Sequence, residues 1–508
     1  MCPLICQHLP PCSRICVWWF LCAALAFAPL GHLHAQSAVA ATISVAAADT
    51  PNPSGATLSA TGTDDGRTLQ QALRLLGPQG GEIHLLPGTF VLDSAGRHVT
   101  VPSNVTINGS GAAVVECRVA GQQGALRFAD CHNVTIRGIR FRSTGDARAA
   151  MFAIMNVGTG RSRFVTVEHC DFAGFSSYAL RMNMPGRNFR FIHNRLRTMG
   201  TVGKGGSAIN GARMIDSLIG WNQIEDCGVD AGDWAIYISG GGARNLQVVG
   251  NTIFRCAAGI KDLGDGSDRK ILIAQNTIEG VHKGRSIALG GCRDIIVTNN
   301  LITMQPGGQG IGTETSVHHL RIAGNVIDMN GAGQQGGTAI EVAADDSSFV
   351  SVVDNHVFGG HPTSTCIRLT TVKQGIISGN LLQVEQGTTA AGNASGGCGI
   401  HVGRPGSPHV WDLLVQGNRI YSPVSRNVAI QLSAGSGPNP KSAIQIQGNS
   451  IHGFQFALTL DRQQGGSYRD VIIRGNTSRS APLLGKRTSA DHGIVVVDNI
   501  DPATIVPP

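Results

Sequence analysis

Lys261, Asp262 and the loop Gly264-Asp265-Gly266-Ser267-Asp268-Arg269 are the densest concentration of reactive side chains in the sequence. Tyr237 stands 24 residues before Lys261, and Arg285 stands 24 residues after it. That set suits proton abstraction beside a carboxylate. The cation neutralises the carboxylate, a base takes the proton, and an acid serves the departing oxygen. Glu314 and Glu341 offer a rival chemistry, and Asp262 with Asp265 a second pair. Two carboxyls flanking a glycosidic bond hydrolyse it when ~5–5.5 Å apart (retention) or ~6.5–9.5 Å apart (inversion).

These residues must be positioned by repeated elements. A strand-like apolar alternation ending in Gly-Asn, one variable residue and an apolar residue recurs along the chain. It reads Val248-Val-Gly-Asn251-Thr-Ile253, Ile273-Ala-Gln-Asn276-Thr-Ile278, Val297-Thr-Asn-Asn300-Leu-Ile302 and Ile322-Ala-Gly-Asn325-Val-Ile327, and continues through Asn355, Asn380, Asn418, Asn449 and Asn476. Asn194 and Asn222 precede these, and Cys170 takes the asparagine slot one repeat earlier. A second strand follows each motif, as in Ala235-Ile-Tyr-Ile238 or Ala339-Ile-Glu-Val342. Period-two alternation puts one face in and one out. Two strands plus the apolar residue after the asparagine make three sides of a coil, and stacked coils share one core. The expected fold is all-β, a parallel solenoid. Asparagine is expected to tolerate a left-handed bend and to bond its copies in neighbouring coils.

The strand after each motif is the candidate groove wall. Its isoleucines point inward, so the next residue points out. That column reads Arg127, Arg181, Asn210, Tyr237, Lys261, Ala288, Gly312, Glu341, Arg368, His401, Gln431 and Thr459. Coils ~4.7–4.9 Å apart make it one continuous row. Lys261, Tyr237, Arg285 and Asp262 are the expected catalytic residues. Arg181, Asn210, Glu314, Glu341, Arg368 and His401 are the expected substrate-binding residues. Asp262 falls on an inward position, where a charge needs a partner or a shifted pKa.

Of the 508 residues, 68 are glycine and only 14% are charged, while 42% are hydrophobic. That composition excludes disorder and suits turns and strands. The net charge of +7 suits an anionic partner such as an acidic polysaccharide. Neither a basic patch nor a reading motif supports nucleic acid.

The chain opens with an entry segment, Asp64-Asp-Gly-Arg-Thr-Leu-Gln-Gln-Ala-Leu-Arg-Leu-Leu76, then Gly80-Gly-Glu-Ile-His-Leu-Leu-Pro-Gly-Thr-Phe-Val91. Its leucine spacing is helical, and a helix there caps the open end of the core. With the repeats it resembles the pectate-lyase-like superfamily, which implies a single-stranded right-handed parallel β-helix with a short N-terminal capping helix. The resemblance also implies a substrate lying along one parallel sheet. Lys261 and Arg285 are similar to the Lys and Arg on successive coils of chondroitinase-B-like and alginate-lyase-like members, which implies a polysaccharide lyase working by β-elimination. The Leu-Arg-His-Gly-like segment of those lyases stands here as Leu289-Gly290-Gly291-Cys292, without the arginine. The Asn-Thr-Asp, Gly-His-Gly and Arg-Ile-Lys pattern of polygalacturonases and the Asp-Pro-His signature of alginate epimerases are absent. A glycoside hydrolase and a non-catalytic glycan-binding or exopolysaccharide-export protein are the alternatives. Ca2+ is the one cofactor for which ligands present themselves, with Asp345, Asp346 and the 262–268 loop as thin candidates.

Residues 1–35 read as a signal peptide, with an apolar run after Arg14 and Leu33-His34-Ala35 as the cleavage site. The protein is then exported, secreted or periplasmic, with no membrane span after cleavage. Residues 36–59 read as a flexible leader, 60–480 as the β-helix and 481–508 as a C-terminal tail or cap. Cys227 and Cys256 each follow their repeat asparagine by five residues and should stack, either as a disulfide or as two free thiols filling the core.

Overall fold

The structure is a computed structural model that describes residues 41–499. Excepted are 94–97, 119–123, 144–152, 160, 201–205, 306–307, 331–336, 344–345, 361–363, 385–396, 404–409, 424–427, 435–440, 463–466 and 480–491. The expected signal peptide lies outside these residues. Among the described residues no helix is long and apolar enough to cross a membrane.

Every strand pairing is parallel to an equivalent strand one coil away. Trp234–Ser239, Arg244–Val249 and Thr252–Phe254 form the three sides of one coil. They pair with successive parts of the next coil, Ala258–Ala274 and Thr277–Val281. Inward residues such as Ile236, Ile260, Ile287, Ile311 and Ile340 stack into a fully buried column. The alternation read from sequence therefore gives one core running the length of the solenoid.

The asparagines form the expected ladder, from Asn194 to Asn499. Asn276 Nδ2 donates to Asn300 Oδ1 at 3.0 Å and to the Val248 carbonyl at 2.9 Å, while its backbone N–H reaches the same Asn300 oxygen at 3.0 Å. Asn300 repeats this with Asn325. One detail is corrected. The left-handed residue is the one before the asparagine: Gly250, Gln275, Asn299 and Gly324 have φ of 68°, 56°, 55° and 63°. Glycine precedes so many copies because that position costs other residues strain. The asparagine is retained for its amide.

The helix Gly66–Leu76 buries Leu69, Ala72, Leu73 and Leu76 against the first coil, as a cap must. Asp65 orders its entry by accepting the backbone N–H groups of Thr61, Gly62 and Val91 at 2.9, 2.9 and 2.7 Å. The flexible leader is a second correction. Ala41–Ala46 within it is a strand paired with Gly81–Leu85, because Val45 and Ala46 are buried in the cap. The solenoid also continues past residue 480: His492–Val497 pairs with Tyr468–Arg474, and Asn499 extends the ladder. Cys227 and Cys256 are free, fully buried and adjacent; burial and the neighbouring thiol push Cys227 well above the ordinary thiol range.

Candidate functional site

The first-sheet row stands in register as the sequence column requires. Arg181 pairs with Asn210, Asn210 with Tyr237, Tyr237 with Lys261, Lys261 with Ala288, and Ala288 with Gly312. Gly312 then pairs with Glu341, Glu341 with Arg368 and Arg368 with His401. Asn156 enters the row between Arg127 and Arg181, a member the sequence column lacks.

The charged side chains converge where the row itself is small. Lys261 reaches across the coil of Ala288 to place Nζ 2.8 Å from Glu314 Oε2. Arg285 lies over Gly312, where an added Cβ would come within 3.0 Å of its Nε. Its guanidinium donates to Gln309 Oε1, to the Thr313 carbonyl at 3.0 Å and to Glu341 Oε2 at 3.5 Å. Arg368 approaches the other Glu341 oxygen at 3.4 Å. Glu341, only 8% exposed, is thus gripped from both sides. Ala288 and Gly312 leave the space these long side chains occupy.

Toward the N-terminus the site becomes aromatic. Trp234 is buried with Ala258, Ala288 and Tyr237, and its ring lies 5.0 Å from Lys261 Nζ, a cation–π contact. Arg181 sits 5.9 Å over the Tyr178 ring. Burial lowers the Arg181 pKa and raises that of Tyr178. Asn210 caps its own turn, accepting the Ala212 N–H at 3.0 Å. At the opposite end His401 Nε2 contacts Ser433 Oγ at 3.0 Å. The sequence reading missed Trp234, although it precedes an inward isoleucine by two residues, as Arg285 does.

Asp262 belongs to the core. It is fully buried, stacked in register between Ile238 and Leu289, and faces Asp268 and the Cys292 thiol. Burial first and the neighbouring Asp268 carboxyl second push its pKa well above the usual carboxylate range. Burial also raises Asp268, whose Oδ1 accepts the Ala243 N–H at 2.7 Å. Asp262 therefore lies on the opposite face of the strand from Lys261, and its assignment to the catalytic set is corrected. Its pairing with Asp265 fails as well, because Asp265 is exposed and holds Ser267.

Among the described residues, these carboxylates do not gather into a calcium site. Asp262 and Asp268 face the core, Asp346 is bound by Lys373, and Asp345 lies outside the described residues. The described residues bring together no three His, Cys, Asp or Glu side chains able to hold a metal. The lyase-type arginine has no room either: a Cβ at Gly290 would meet Thr315 Oγ1 at 2.6 Å, and at Gly291 the Gly264 carbonyl at 2.1 Å.

The family model described as "right handed beta helix region" matches residues 103–278. The chain has the fold of a right-handed parallel β-helix. No curated protein matches it in sequence. Among solved β-helices, the tailspike protein of E. coli bacteriophage HK620, in complex with a pentasaccharide, is similar at 13% identity and a TM-score of 0.50, over 86% of this chain and 78% of that one. A DFA-IIIase from Arthrobacter chlorophenolicus A6 aligns at 14% identity and a TM-score of 0.43, over 76% and 98% of the two chains. An exopolygalacturonase from Thermotoga maritima aligns at 12% and 0.36, over 81% and 88%. At such identities the likeness concerns the β-helix fold alone.

Proposed function

We propose that this β-helix is an exported carbohydrate-active protein that acts on an acidic polysaccharide laid along the first sheet, and that it does so as a glycoside hydrolase. The single observation that carries the reading is the Lys261–Glu314 and Arg285–Glu341–Arg368 network, which fixes two carboxyls on one outward face. Glu314, the more exposed, is the carboxyl suited to exchange a proton with the leaving oxygen. Glu341, held by two guanidiniums, is suited to act on the other side of the bond. Tyr237, part-exposed and backed by the buried Trp234, provides an apolar flank for sugar rings. Arg127, Arg181, Lys261, Arg285 and Arg368 outnumber the two glutamates, which favours an anionic chain. A tailspike of similar fold is found in complex with a pentasaccharide, which supports a glycan as the ligand.

β-Elimination is the second reading. It is favoured by the register pairing of Tyr237 with Lys261, a phenol and an amine on adjacent coils. Against it, the three donor positions of Arg285 that would neutralise a uronate are engaged by Gln309, Thr313 and Glu341. A panel of acidic glycans separates the two: new reducing ends without the ultraviolet absorbance of an unsaturated uronate indicate hydrolysis. That absorbance overturns the hydrolase. Binding without either product supports a non-catalytic glycan-binding role.

A further inference from the structure

The second sheet carries a different pattern along its outer edge. Arg244, Arg269 and Arg293 open its strand on three successive coils and pair in register, Arg244 with Arg269 and Arg269 with Arg293. Arg163 and Arg187 occupy the same column earlier, also paired with each other, and Lys373 occupies it later. Ile215, His318 and Ser348 fill the intervening places, so no acidic residue stands in the column from Arg163 to Lys373. All five arginines are exposed.

Sheet physics does not account for this ladder. Like charges directly opposite one another are destabilising, and here they recur at the coil repeat of ~4.7–4.9 Å. Arg244, Arg269 and Arg293 make no ion pair with a described residue. The carboxylates one position further along are already engaged: Asp216 accepts from Asn245 at 3.0 Å and Asp294 pairs with His319 at 2.9 Å. Three exposed guanidiniums therefore stand in single file, facing solvent.

We propose that the Arg244–Arg269–Arg293 ladder binds a linear anionic polysaccharide lengthwise, on a surface separate from the first-sheet site. One guanidinium per coil matches one carboxylate or sulfate per extended sugar unit, and each can be gripped by a two-pronged hydrogen bond. The ladder is one guanidinium wide, with Asp216 beside it paired to Arg187 and Asp294 paired to His319, which suits a narrow strand better than a broad anionic surface such as a lipid bilayer. The polymer would then be held on one sheet while another segment of it, or another chain, occupies the first.

The test uses the full chain with polygalacturonate, alginate and chondroitin sulfate as probes, dextran as neutral control, and phosphatidylglycerol vesicles. The expected result is calorimetric binding of at least one acidic glycan and not dextran, weakening as salt rises. The triple variant Arg244→Gln, Arg269→Gln, Arg293→Gln should lose roughly tenfold or more in affinity, while the triple lysine variant keeps most of it. The melting midpoint and any turnover of short oligosaccharides should stay at wild-type values. Unchanged glycan binding in the glutamine variant overturns the proposal. Vesicle binding that is tighter than glycan binding and is lost in that variant also overturns it, in favour of a lipid surface. Binding lost in the glutamine variant, with no turnover by any variant, sustains the ladder and removes the hydrolase.

Discussion

The Lys261 ammonium lies 2.8 Å from the Glu314 carboxylate although 53 residues separate them and a whole coil, that of Ala288, intervenes. The pairing places a long cation lengthwise over small residues and fixes the carboxyl at the groove. It makes Glu314 and Lys261 one unit, so their variants discriminate between the two chemistries.

Glu314→Gln should lower kcat by about 10²–10⁴-fold, the usual contribution of a general acid or base. Because the pair is partly exposed, the melting midpoint should move little. Lys261→Ala should weaken turnover less, by disordering Glu314. If Lys261→Ala removes all activity and Glu314→Gln removes little, elimination is the reaction.

Arg368→Ala should raise KM more than it lowers kcat, because Arg285 still holds Glu341. The increase should be larger at low salt, where the lost charge is least screened. Steady-state kinetics at two ionic strengths measures it. An equal fall in kcat at both would place Arg368 in the chemistry.

Asn300→Leu should destabilise the solenoid strongly. It removes the acceptor of two Asn276 donors and the donor to the Ile273 carbonyl, all buried. Each group left unpaired costs ~1–3 kcal/mol. Urea unfolding should show a loss of several kcal/mol, and a loss below about 1 kcal/mol would mean that the ladder is dispensable.

Much of this was legible because one period governs the chain. Once the Gly-Asn motif fixes the register, the inward isoleucines and the outward Tyr237, Lys261, Glu341 and Arg368 follow by counting. The arginine ladder was legible by the same count, since Arg244, Arg269 and Arg293 each precede their asparagine by seven residues. A search for contiguous basic runs passes over it. Counting does not tell where a long side chain goes. Arg285 could have pointed to solvent, and only the bare surface at Gly312 lets it lie down against Glu341. The strand Ala41–Ala46 was hidden for another reason: it lacks the repeat and is set among alanines, so it resembles a leader until its pairing with Gly81–Leu85 is seen.

Lys441 occupies the inward column that places Tyr468 beside it, and burial lowers its pKa from 10.5 to about 8. For a base with a depressed pKa, the folded state loses stability as pH falls through the interval from 10.5 to about 8, and the cost is constant below it. Lys441→Met should therefore stabilise at pH 7 by up to about 3 kcal/mol and be nearly neutral above the unfolded value. Melting scans of both proteins across that interval check it. A gain independent of pH would assign the effect to packing alone.

Asp262 gives the opposite sign. Its folded pKa is raised, chiefly by burial and then by Asp268. The folded state therefore binds the proton more tightly than the unfolded chain does. The stability this confers is complete below the ordinary carboxylate pKa of ~3.9, and is lost as pH rises toward the folded value. Asp262→Asn keeps the shape, removes the ionisation and lets an amide donate to Asp268. Stability above that pKa should rise by ~1–3 kcal/mol, the cost of a buried polar group without a partner, and the melting midpoint should vary less with pH. Because Asp262 faces the core and Lys261 the groove, glycan turnover at neutral pH should be unchanged. A variant that melts below the wild type at neutral pH, or loses turnover while remaining folded, would return Asp262 to the active side of the strand.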